Sequence, residues 1–462
     1  MAKITVLVWA LLLGSDVFAQ SQTEKDLFSL LQEGKYVQLV NKVCSLREKQ
    51  YYKNAFMDYC LAYGYCQLDK PSLSGEWFDH ILGSYNSLSS TKRDELEQLK
   101  GSCSQSHPNA QVTNALFEYL HAMSADGFEG NQAGIESKMG VPSLKDTVEE
   151  FDFEHLTFDR QNRKFTLQQK REALDYYRRL LSDPEVHADT TAHFLVFWPG
   201  NPMLINNHMK QLEEYYSFYS SMFNLQESNM LITVFYCTNR NDFNTIAKQV
   251  HNIPVPKSTF GYASSIDLVM MGIANAAWLG AMKHELFHLM IRSFVGDIPP
   301  WLDEGAACYF ESSTLKNNNV TTNLSGSNYR VNLLKQRQYL KHEISDGKGI
   351  KMPTLPQLTN YNWQEFSGKS GNLMIQASIN QSISYVFVSY LQDRKLLGKT
   401  MEAFRNRAYT DPSSNDSTGL IILHLRTNDE LLTNTTGMTM PEIQADFYNW
   451  CQGKGIPVLP SP

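Results

Sequence analysis

The run KHELFHLM, residues 283–290, sets His284, Glu285 and His288 among apolar neighbours. On a helix, residues four apart lie one above the other on the same face. The imidazoles of His284 and His288 can therefore grip one ion, with Glu285 pointing alongside it. A carboxylate in that position can hold a water on the ion and take its proton as the water attacks a carbonyl. The plain alternative is a helix with polar residues on its wet side. Two histidines do not complete a zinc site, which takes a third protein ligand and keeps one position open for water. A glycine at 291 and a histidine at 294 would supply one solution, but the chain has Ile291 and Phe294 there. A carboxylate on the next helix is the other solution. Glu304, in WLDEG, sits sixteen residues after His288, and the connection SFVGDIPP lets its helix fold back. Asp303 and Glu311 are further candidates on the same helix.

The surrounding periodicities say what must hold these residues. From residue 191, HFLVFWP and MLITVFYC read as strands, separated and followed by the helical NNHMKQLEEYYSFYSSMFNL and NDFNTIAKQV; SSIDLVMMG is a third strand. Asn275 can cap the HELFH helix, expected over 278–293. Pro299 or Pro300 starts the helix WLDEGAACYFESS. LKNNNVTTNLSGSN reads as a polar loop, and SISYVFVSYLQDRKLLGKTMEAFRNRA is again helical. The pattern predicts an α+β class, with an α/β layer facing a mainly helical remainder. Upstream, 22–102 carries successive amphipathic helices that resemble tetratricopeptide units, although the repeat pattern is partial; an unrelated small bundle is the alternative. The Gly- and Ser-rich stretch SADGFEGNQAGIESKMGVPS reads as a hinge, and TLQQKREALDYYRRLLSD as an amphipathic helix before the next domain.

HELFH followed by PPWLDEGAACYFE resembles the gluzincin clan of zinc metallopeptidases, specifically the peptidase-MA-like domains. The likeness spans roughly 190–410 and implies a thermolysin-like fold with an α/β upper layer and a helical lower part. It implies one Zn2+ held by His284, His288 and Glu304, with Glu285 as general base. It also implies that the strand near 265–272 holds extended substrate by backbone pairing. Two departures stand out. Members often carry an acid four residues after the ligand glutamate, where this chain has Cys308, so the support of a ligand histidine must be built differently. Their late helix carries a tyrosine where this chain aligns Gln381; Tyr385, one turn on, becomes the candidate for stabilising the developing oxyanion.

Composition bounds the rest. At 462 residues with 42% hydrophobic and 19% charged residues, the chain is globular and long enough for two or three domains. A net charge of -7, with no basic stripe and no phosphate-binding loop, argues against a nucleic-acid partner. The short positive start, the apolar run ITVLVWALLLG and the small residues Val17 and Ala19 before Gln20 read as a signal peptide. Nothing after it approaches the roughly eighteen apolar residues of a membrane span. Of seven cysteines, four lie between 44 and 103 and allow one or two disulfides there. The domain reading is a signal peptide at 1–19, a helical module at 20–105, a linker with connecting helices at 106–190, the metallopeptidase domain at 191–410 and a C-terminal extension at 411–462. The function expected is an exported metallopeptidase acting on peptide or protein substrates, whose helical module recruits a protein partner. The competing reading is a degenerate peptidase fold that serves as a binding scaffold.

Overall fold

Helices open the described chain. The computed structural model describes residues 22–48, 55–85, 90–103, 167–181, 186–199, 203–225, 231–237, 239–251, 261–264, 268–273, 279–296, 298–324, 328–340, 352–368, 373–410 and 418–457. The expected signal segment, Asn275 and most of the expected linker lie outside them. Helices α1 (Gln22–Gln32), α2 (Tyr36–Glu48), α3 (Ala55–Gln67), α4 (Pro71–Ser84) and α5 (Ser90–Cys103) each pack on the next. A disulfide between Cys66 and Cys103 ties the end of α3 to the end of α5, while Cys44 and Cys60 are buried in the module's core.

The second unit begins earlier than the sequence suggests. Helix α6 (Leu167–Leu180) and strand β1 (Val186–Thr190) belong to it, so the boundary drawn at 190 falls inside the sheet. VHADT carries little apolar signal because β1 is an edge strand, paired antiparallel to β2 (Phe194–Pro199) alone. The chain continues through α7 (Met203–Met222), β3 (Ile232–Cys237), α8 (Arg240–His251), β4 (Gly261–Ser264) and β5 (Val269–Ile273). The sheet order is β1-β2-β3-β5-β4; β2, β3 and β5 run parallel, and β4 pairs antiparallel with β5. Along β2, Phe194, Val196 and Trp198 join the core of α7, whereas Leu195 and Phe197 join that of α6 and α8. Burial on both faces explains the unbroken apolar runs of the inner strands.

Next come α9 (Gly280–Phe294) and α10 (Pro300–Glu311), then a hairpin of β6 (Ser313–Lys316) and β7 (Asn319–Thr322). This hairpin replaces the expected polar loop. Its turn residues Asn317 and Asn318 both have positive φ, 52° and 56°, the geometry that two-residue hairpin turns favour. Helices α11 (Tyr329–Leu340), α12 (Leu355–Asn360), α13 (Trp363–Ser367), α14 (Leu373–Asp393) and α15 (Leu397–Arg405) follow. Strand β8 (Ala408–Thr410) pairs with β9 (Leu423–Leu425) across residue 411, and α16 (Asn428–Thr436) and α17 (Met440–Gly453) add Leu432, Ile443 and Phe447 to the main core. Within residues 418–457, apolar side chains thus join cores built by earlier elements. The whole is mixed α and β with helices predominating, and no helix among the described residues is long and apolar enough to cross a membrane.

Candidate metal centre

Helix α9 lies against β4 and β5, and α10 packs between α9 and α14. The reversal from α9 to α10 is local chemistry. Gly296, at φ 86°, closes α9 with its N–H on the Ile291 carbonyl at 3.2 Å. Pro299 is extended and Pro300 starts α10, where a missing N–H costs nothing. Gly305 then lets α10 approach α14 closely: a Cβ there would stand 2.8 Å from the Ser384 carbonyl oxygen. Glu304 is the residue before that crossing.

The result brings His284, His288 and Glu304 into a group that could hold a metal ion, with one donor atom from each inside 4.8 Å. The two Nε2 atoms are 3.0 Å apart. Glu304 Oε2 is 3.7 Å from His284 Nε2, and its Oε1 is 3.8 Å from His288 Nε2. Donors about 2.0–2.1 Å from a tetrahedral ion stand about 3.3–3.4 Å from one another, so the spacing fits. The other ring nitrogens have carboxylate partners. His288 Nδ1 lies 2.8 Å from Asp303 Oδ1, and Arg292 donates to Asp303 Oδ2 at 2.7 Å. His284 Nδ1 lies 3.4 Å from Glu311 Oε2, to which Arg330 donates at 2.6 Å. Protons kept on Nδ1 leave two Nε2 lone pairs and a carboxylate converging on one point, an arrangement that calls for a cation.

Burial and neighbouring charge pull these groups in opposite directions. Burial disfavours charge on His284, but Cys308 and Glu311 outweigh it and raise its pKa well above the imidazole range. Burial likewise opposes charge on Glu311, yet His284 and Arg330 hold its carboxyl at about 2. Asp303 is kept well below the carboxylate range against its burial, by Arg292 and His288. A second group, His284, Cys308 and Glu311, also lies inside 4.8 Å. The Arg330 guanidinium already supplies its positive charge, which makes it a support for the first group.

Glu285 is 7% exposed, and Gly261 makes room for it: a Cβ on Gly261 would be 3.0 Å from Glu285 Oε1. Its carboxylate thus lies against β4, the edge strand of the sheet. The strand expected near 265–272 to pair with substrate is β5, whose two edges are taken by β3 and β4; the outer edge belongs to β4. The His284 side chain is 17% exposed against 1% for His288, so solvent meets the group on the His284 side.

The Tyr385 hydroxyl is engaged by a separate set of partners. It accepts from Asn328 Nδ2 at 3.1 Å, pairs with Thr322 Oγ1 at 2.9 Å and donates to the Asn323 carbonyl at 3.3 Å. Gln381, at the position aligned with the tyrosine, instead donates from Nε2 to Glu304 Oε2 at 3.1 Å. Asp303 and Glu311, candidate ligands by sequence, each face a histidine Nδ1. Sequence reasoning did not find Gly261, Arg292 or Arg330, and it placed Gln381 only by alignment, without its contact to Glu304. A glycine inside a strand signals close approach, and Arg292 is four residues from His288, but Arg330 and Gln381 arrive from distant helices with no local signal. No family model matches the chain, and no curated protein matches it.

Proposed function

We propose that this chain is an exported zinc metallopeptidase of gluzincin type, with a tetratricopeptide-like module that recruits a partner or substrate. The observation that carries the reading is the convergence of two Nε2 atoms and Glu304 beside a glutamate pressed to a sheet edge. A zinc ion held by His284, His288 and Glu304 would polarise a peptide carbonyl and make water acidic enough to react near neutral pH. Glu285 takes the proton from the attacking water as oxygen bonds to the carbonyl carbon, and returns it to the amine as the C–N bond breaks. Gln381 steadies Glu304, Asp303 and Glu311 keep the imidazole protons on Nδ1, and the edge of β4 can align an extended peptide. The oxyanion role suggested for Tyr385 would require its hydroxyl to leave Thr322, Asn328 and Asn323. Export is supported by the Cys66–Cys103 disulfide, since such bonds persist in oxidising compartments.

Elemental analysis of purified protein should find about one zinc per chain, and Glu304→Ala should lose it. The zinc-loaded protein should cleave members of a broad peptide library. Full zinc without any cleavage would favour the scaffold reading.

A further inference from the structure

We propose that Glu311, locked by Arg330, is the positioning residue that fixes the tautomer and aim of His284. The inference rests on the metal-site reading above but concerns residues outside the ligand set. The two histidines are backed in parallel ways: His288 by Asp303 and Arg292, from α10 and α9, and His284 by Glu311 and Arg330, from α10 and α11. One turn before Glu311, the position from which an acid could reach the same ring holds Cys308, grouped with His284 and Glu311 inside 4.8 Å. Of the two residues facing the ring from α10, only Glu311 carries a carboxylate.

Neutral imidazole carries one proton. A carboxylate at Nδ1 keeps it there and leaves the Nε2 lone pair to the metal. Arg330 makes that assignment stable. Its Nη2 sits 2.6 Å from the same Oε2 that faces His284, and the residue is 6% exposed beside the ring of Tyr385, with its guanidinium carbon 6.0 Å from the centroid. With a guanidinium on its reacting oxygen, Glu311 is held as an acceptor for His284 Nδ1 and withheld from the ion.

The test measures zinc affinity of the full chain by chelator competition, without substrate, together with the visible spectrum of the cobalt-loaded protein. Glu311→Gln and Arg330→Met should each weaken zinc binding by about 10–100-fold. The double variant should be no weaker than the worse single one, because both act through one contact. The cobalt band of Glu311→Gln should shift, and adding Cys308→Asp to it should restore most of the lost affinity, a rescue that a merely structural role would not give. If Glu311→Gln does not fold, the double variant, which removes both buried charges together, is read in its place. Parental affinity and an unchanged cobalt spectrum in Glu311→Gln would overturn the proposal, as would a parent that binds neither metal. Metal binding that behaves as expected in a protein that cleaves no peptide would leave the positioning role standing and remove only the peptidase reading.

Discussion

At each candidate ligand histidine the two ring nitrogens face different partners, and the neighbouring glutamate is kept apart from both. His284 and His288 turn Nε2 toward each other and Nδ1 toward carboxylates, while Glu285 lies against Gly261. Glu285→Gln keeps size and one acceptor oxygen but cannot take a proton at neutral pH. Zinc content should stay at the parental level, and peptide cleavage should fall by roughly 10²–10⁴-fold. Equal turnover numbers in parent and variant would remove Glu285 as the base. His284, Glu285 and His288 were legible in the sequence because helical spacing sets the two imidazoles on one face, whereas Glu304 was suggested by the WLDEG context on the next helix. The roles of Asp303 and Glu311 were not legible, since an acid on α10 serves equally as ligand or as partner of Nδ1. The choice depends on Arg292 and Arg330, and Arg330 lies on another helix.

Among the elements, the α10–α14 crossing governs where Glu304 can reach. Gly305 meets backbone atoms of Ser384 at 2.8 and 2.9 Å from its ideal Cβ position, and backbone cannot swing aside as a side chain can. Gly305→Ala should push α10 outward, destabilise the fold by about 1–3 kcal/mol and weaken zinc binding. Gly75, inside α4, has nothing within 4 Å of its ideal Cβ, so Gly75→Ala should stabilise by roughly 0.5–1 kcal/mol. Thermal unfolding of the pair checks this; a Gly305→Ala variant as stable as Gly75→Ala would show that the crossing relaxes freely. The helices and inner strands were readable because their apolar periods are strong. The β6–β7 hairpin was not, because Val320 is the one apolar residue of NNNVTTN and the pairing is set by two asparagines with positive φ.

Over the whole molecule, the helical module and the unit that carries the candidate metal centre are stitched together by the chain's later part. Leu420 and Leu423 lie in the module's core. Tyr65 donates to the Ile421 carbonyl and accepts from Leu423 N–H, both at 2.9 Å, and Trp77 donates to the Leu423 carbonyl at 3.0 Å. Trp363 on α13 reaches the Ser84 carbonyl at 2.9 Å. A chain starting near residue 165 would strip these partners away, so 418–425 should become sensitive to protease and the protein prone to aggregate. Unchanged protection there would show that the two units are separable.

The same junction holds a buried polar network that should govern acid stability. Asp58 is 1% exposed, pairs with Arg47, accepts from Tyr85 at 2.7 Å and lies 3.2 Å from His80 Nε2. Arg407, beside β8, reaches His80 Nδ1 at 3.5 Å. Burial alone would raise the Asp58 pKa, but Arg47 and His80 outweigh it and lower it from the usual 3.8 to about 2. A folded pKa below the unfolded one means that the folded state binds fewer protons across this interval. The stabilisation is therefore fully present above about pH 4 and is lost as pH falls through about 2, and its size is on the order of 2 kcal/mol. Asp58→Asn removes this titration and leaves Arg47 buried without its counter-charge, which costs about 3–5 kcal/mol near neutrality. Denaturant unfolding across pH 2–6 should thus show a lower but flatter acid limb in the variant. Parallel limbs would mean that Asp58 does not carry the acid transition.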